Sequence, residues 1–237
     1  MKHFKLLIFS GLLLTSSLIS GQNQWFSTYK DSLALVKESN RLTELFKANI
    51  KKLKPELNIK TGAILNTTPY LIFYGENDTV NLPLWSQVIP PIKGFTAQVA
   101  GSETEGERMF GLFFNGFYLP HELGHALQTY VDPKGADVSF KNEYLANEIA
   151  MLWWRKQGKE KELEACYELA KTMFSKLPNP VPEGQTVEEY FTKNYEQAAK
   201  DPFVYGYMQF AQFIKVYEDQ SLPDFDNYLT NYFKKLD

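Results

Sequence analysis

The chain has 237 residues, with 25 basic and 28 acidic side chains, a formal net charge of −3 and 15% aromatics. That mild acidity without a basic stripe argues against nucleic acid as a partner, and a single cysteine excludes an internal disulfide. A chain of this length can bury one substantial core, or two lobes with a cleft between them.

Met1 to Gly21 reads as a secretory signal peptide. Lys2 and Lys5 give the positive start, Leu6 to Leu14 the apolar centre, and Thr15 to Gly21 the small, polar end. The apolar run is too short for a membrane span, so a secreted or periplasmic protein with no stable membrane insertion is expected. From Ser27 to about Leu53, the residues Leu42, Leu45, Phe46, Ile50 and Leu53 recur at threes and fours and predict an amphipathic helix that Pro55 ends. Between Leu57 and Phe114 the character changes to short apolar runs separated by turn signals. Tyr70 to Tyr74, Phe95 to Val99 and Met109 to Phe114 are the expected strands of a small twisted sheet.

The chemistry concentrates in Pro120-His121-Glu122-Leu123-Gly124-His125; the only other histidine is His3. Pro120 suits the first turn of a helix, where its missing N–H is not needed. On such a helix His121 and His125 lie about 40° apart, so both imidazoles can reach one metal ion. Glu122, rotated by about 100°, is placed to act on a water beside that ion rather than to bind it.

The turn Asp132-Pro133-Lys134-Gly135-Ala136 lets the chain return, and Asn142 to Trp154 has helical spacing with no Gly or Pro. Glu143, Asn147, Ala150 and Trp154 share one face, which therefore looks buried. An isolated buried carboxylate needs a partner or a cation, so Glu143 is preferred as a third ligand, with Glu148 on the other side as the alternative. Asn147, one turn after Glu143, is placed to accept the outer N–H of a ligating imidazole.

Further on, an amphipathic helix is expected from about Lys159 to Leu177, with Cys166 a buried thiol. Asn179 to Gly184 is a rigid connector, and Thr186 with Glu189 forms a capping box for the next helix. Pro202 to Glu218 is apolar on nearly every side, the mark of a buried helix. Its narrow polar stripe, Tyr205, Gln209 and Gln212, needs partners. Leu222 to Leu236 completes the set with one more amphipathic helix.

His121-Glu122-x-x-His125 followed by Asn142-Glu143-x-x-x-Asn147 resembles the zincin metallopeptidases, in the branch whose third ligand is a glutamate from the following helix. Glu143-x-x-Ala146-Asn147-x-x-Ala150 is also similar to the second motif of IrrE-like, repressor-cleaving peptidases. The likeness covers about residues 115 to 150 and no more. It implies an α+β, mostly helical zincin-like domain over residues 22–237, with 179–184 the candidate lobe boundary. Zn²⁺ would be held by His121, His125 and Glu143, with Glu122 as general base in hydrolysing a peptide or protein substrate. Zincins also place a strand ahead of the metal helix to pair with an extended substrate; Met109 to Phe114 is the expected strand. Two departures stand out: Asn147 replaces the aspartate of thermolysin-like enzymes, and no further histidine is present to stabilise an oxyanion. A tyrosine hydroxyl is then the expected donor, with Tyr205 preferred over Tyr118, Tyr144 and Tyr207. A secreted, non-catalytic metal-binding or peptide-binding protein is the alternative.

Overall fold

Asp31 opens the first helix. Its carboxylate accepts the backbone N–H groups of Leu33 and Ala34, and α1 runs Ser32–Leu53 with Leu35, Leu42, Phe46 and Ile50 turned inward. The computed structural model describes residues 25–69, 71–137 and 139–236; the signal-peptide stretch 1–21, and Tyr70 at the head of the first expected strand, lie outside them.

Among the described residues the architecture is α+β and mostly helical, with one small mixed sheet ahead of the helix that carries His121 and His125. Its strands are β1 (Gly62–Leu65), β2 (Phe73–Gly75) and β3 (Thr79–Leu82), in the order β1-β3-β2. β3 pairs in parallel with β1 and antiparallel with β2. The outer edge of β1 is closed by Asn40 of α1, whose amide bonds both Ala63 N (3.0 Å) and Ala63 O (2.7 Å). The remaining edge belongs to β2. Asp78, with φ of +57°, makes the β2–β3 turn, and its carboxylate takes the hydroxyls of Thr61, Tyr74 and Tyr130.

Two of the expected strands are helices. Phe95 to Val99 lies in α2 (Pro90–Ala100), and Met109 to Phe114 runs from α3 (Glu103–Leu112) into the turn that follows. Pro90 and Pro91 start α2 instead of breaking a sheet, because the first turn has N–H groups to spare. Alternation over five residues also fits helical spacing, and the buried positions Thr96, Val99 and Ala100 are three and four apart. Gly101, at φ +106°, ends α2, and Ser102 caps α3 through Glu105 N. The strand expected near Met109 is therefore replaced, as the strand nearest the histidines, by β2.

α3 does not stop at Leu112. A wide turn, Phe113–Phe117, closes with Tyr118 N on Phe113 O, and α4 (Tyr118–Val131) continues beyond it. The turn and Pro120 leave carbonyls without helical donors. The turn at Trp25 and Phe26 supplies them: Trp25 Nε1 donates to Gly116 O (3.0 Å) and Phe26 N to Asn115 O (2.8 Å). Phe26 adopts φ +70° to do so, and Gly116 makes room, since a Cβ there would stand 2.5 Å from the Phe26 ring. Trp154 Nε1 takes Phe117 O from the other side.

α5 (Phe140–Lys156), α6 (Glu160–Phe174), α7 (Val187–Ala198), α8 (Pro202–Glu218) and α9 (Phe225–Lys234) complete the chain. One continuous core joins them, with Trp153, Trp154, Phe110, Phe113, Phe117 and Phe213 among its fully buried side chains. Cys166 is buried there, and burial pushes its thiol pKa up. Among the described residues no helix is long and apolar enough to cross a membrane.

Candidate metal centre

α4 and α5 approach closely at Gly124. A Cβ there would meet Ala146 Cα at 3.2 Å, so the missing side chain brings Glu143, in the first turn of α5, alongside the two histidines. Ser139 caps that turn, and Asn142 ties the α4–α5 loop by donating to Gly135 O (2.8 Å) and Asp137 O (2.9 Å).

The result is a convergent donor set. His121 Nε2 and His125 Nε2 are 3.1 Å apart, and Glu143 Oε2 stands 3.2 Å from the first and 3.7 Å from the second. Tetrahedral ligands about 2.0–2.1 Å from a zinc ion are separated by about 3.3 Å, so the three atoms need little movement to share one cation. His121, His125 and Glu143 are the group among the described residues that can hold a metal ion. Glu148, the alternative, is on another face of α5, where it accepts the Tyr228 hydroxyl.

The tautomer of His121 follows from its neighbours. Phe140 O can only accept, so Gln212 turns its Nε2 toward it (2.9 Å), which leaves Gln212 Oε1 to accept from Asn147 Nδ2 (2.9 Å). Asn147 Oδ1 then faces His121 Nδ1 at 3.0 Å and accepts its N–H. Nε2 is left with a bare lone pair pointing at the centre, as a ligand requires. The expected role of Asn147 is thus what its position provides.

Glu143 is held from α7 and α8. Tyr195 donates to Oε1 (2.7 Å), Tyr205 to the same oxygen (3.2 Å), and Gln209 Nε2 to Oε2 (2.7 Å). Burial resists its ionisation, but His125 and His121 beside it prevail and hold its carboxyl well below the usual range. Burial likewise opposes charge on His125, and Glu143 outweighs it, raising the imidazole pKa. Glu122 is different: burial dominates and lifts its carboxyl pKa, with the imidazoles pulling against it. Its Oε2 accepts Tyr74 N–H (2.9 Å) from the open edge of β2.

Two cavities meet at Glu122. One, of about 280 Å³, is polar and includes Tyr74, His125, Thr129, Asp137 and Tyr195; the other, of about 160 Å³, is largely apolar. Ile72, His121, Glu122 and Tyr205 border both.

No protein-family model, curated protein or solved structure matches this chain. The donor geometry alone therefore carries the chemistry.

Tyr205 lies at the centre, bonded to Glu143, whereas Tyr144 packs under Lys215. The sequence offered little sign of Tyr195. It is one aromatic in a helix whose interior bends at Asn194 (φ −121°, ψ 16°), and only its spacing of four from buried Phe191 marks it as inward. Nor did any pattern announce that a backbone N–H of β2 would meet Glu122.

Proposed function

We propose that this chain is a secreted or periplasmic zinc-dependent peptidase of the zincin type. The observation that carries the reading is the convergence of His121 Nε2, His125 Nε2 and Glu143 Oε2 within 3.7 Å, with the carboxylate of Glu122 beside them and outside the ligand set. Two neutral imidazoles and one carboxylate suit zinc, and three protein ligands leave the fourth position of a tetrahedral ion for water or substrate. With zinc bound there, His121, His125 and Glu143 would hold a Lewis acid able to polarise a carbonyl and make water more acidic.

The protein's own groups do the rest. Glu122 Oε1 takes the proton of the attacking water and returns it to the leaving amine, with Oε2 steadied by Tyr74 N–H. A raised carboxyl pKa suits that exchange, because the group both accepts and gives up a proton. Tyr205 turns its hydroxyl from Glu143 to the oxyanion that develops, while Tyr195 and Gln209 keep Glu143 in place. The outer edge of β2, where Tyr74 meets Glu122, is the strand edge that an extended peptide would run along.

The deciding experiment pairs metal analysis with cleavage of a peptide library. Wild type is expected to carry one zinc per chain and to cut; Glu122→Gln is expected to keep the zinc and lose at least about 100-fold in turnover. A variant that still cuts removes the peptidase assignment, and zinc without cleavage by wild type leaves a metal-binding protein. Tyr205→Phe should lower kcat by about tenfold or more with KM little changed.

A further inference from the structure

The apolar cavity beside Glu122 lies between α2, the wide turn and α8. Ile92, Phe95, Met109, Phe114, Tyr118 and Phe210 make most of its wall. Gly206 leaves it open from α8: a Cβ there would meet only the tip of Phe95 at 3.5 Å and Leu177 at 3.7 Å, ordinary contacts both. Its volume is about 160 Å³, and an apolar cavity of about 150 Å³ suffices for benzene. One six-membered ring fits.

Besides His121, Glu122 and Tyr205, which it shares with the polar cavity, one polar residue lines this wall. Gln209 is 5% exposed, and its Nε2 donates to Glu143 Oε2 (2.7 Å) and to the Tyr205 hydroxyl (2.9 Å). A carboxylate accepts only, so the amide nitrogen has to face Glu143. Oε1 is then left buried, with no hydrogen-bond partner among the described residues. An amide oxygen in that state is costly. It belongs to a residue of the cavity wall, where a ligand can bring the missing donor.

We propose that this cavity receives the side chain of a tyrosine adjoining the bond that Glu122 serves, and that Gln209 Oε1 accepts its phenol proton. The ring fills the apolar wall and the hydroxyl completes the amide. Phenylalanine fills the same space but leaves Oε1 unpaired, and a lysine or glutamate side chain strands a charge against aromatic rings. The assignment rests on the peptidase reading for its place in a substrate, though binding itself needs no turnover.

The test is a titration of the Glu122→Gln protein, followed by NMR, with N-acetyl-tyrosinamide and N-acetyl-phenylalaninamide. The tyrosine amide is expected to bind about tenfold more tightly. Gly206→Leu, which fills the cavity from α8 without touching Glu143, should weaken both. Gln209→Met should abolish the ratio between them, and a ratio measured within one protein is insensitive to any loss of metal. Equal binding of the two amides, or tyrosine binding that survives Gly206→Leu, overturns the proposal. Cleavage of tyrosine-containing peptides by wild type is read separately. If the amide binds as expected but no such peptide is cut, the peptidase reading fails and the cavity keeps its ligand.

Discussion

Tyr195 is the side chain whose effect is easiest to isolate. Its hydroxyl makes a 2.7 Å bond to Glu143 Oε1, while Glu143 Oε2 faces the imidazoles. Groups that orient a metal ligand typically contribute 10–100-fold to affinity. Tyr195→Phe is expected to weaken zinc binding about tenfold in a chelator competition, with the fold intact by circular dichroism; unchanged affinity would show that Tyr205 and Gln209 suffice. Glu148 gives a prediction of a different kind. Burial raises its carboxyl pKa, against the Tyr228 hydroxyl and Lys215. A carboxyl whose pKa is higher in the folded state favours folding when protonated, so its contribution is present in acid and lost as pH rises through the folded value. Glu148→Gln should therefore raise Tm relative to wild type near pH 7 and make little difference near pH 4, measured by thermal melts at both. A gap that does not widen with pH contradicts this.

The turn at Phe113–Phe117 and helix α4 depend on a segment distant in sequence. Pro120 removes the N–H that would have bonded Gly116 O, and Trp25 Nε1 replaces it from 91 residues away. Trp25→Phe keeps the ring and deletes that donor, leaving a buried carbonyl unpaired at a cost of about 1–3 kcal/mol. Tm is expected to fall by several degrees, with zinc affinity falling too because the histidines sit on the next turn. A melting curve that matches wild type would mean that this bond contributes nothing. Processing is constrained too: a chain beginning after Trp25 lacks the Trp25 donor, and one beginning after Phe26 lacks both. If the chain is exported and processed, mass spectrometry should find an N-terminus at or before Trp25, and a start beyond it would contradict the requirement.

Taken together, the helices form a frame in which α4 and α5 bring His121, His125 and Glu143 together, α7 and α8 hold Glu143, and the edge strand β2 meets Glu122. Binding of the cation to the folded state alone stabilises it, by about 2.7 kcal/mol when free metal is 100 times its dissociation constant. Chelation is expected to lower Tm and zinc to restore it. If Tm does not respond, the three side chains hold no ion at working concentration.

Much of this was legible from spacing. His121 and His125, four apart on a helix, had to share a face, and Glu143 with Asn147 had to share another, because 3.6 residues per turn leaves no choice. The capping box at Thr186 and Glu189 was equally local and is present, whereas α8, expected to be buried, buries only the face that runs from Tyr207 to Val216. What spacing could not supply was anything that depends on two distant segments meeting. Phe95 to Val99 and Met109 to Phe114 carry patterns that suit strand or helix alike, and prolines before one and Ser102 before the other tipped both to helix. Tyr195 and Gln209 reach Glu143 across 52 and 66 residues, and Trp25 reaches Gly116 across 91. Periodicity places a side chain on its own helix; which neighbour it then touches is set by how the helices pack, and that is a property of the whole fold.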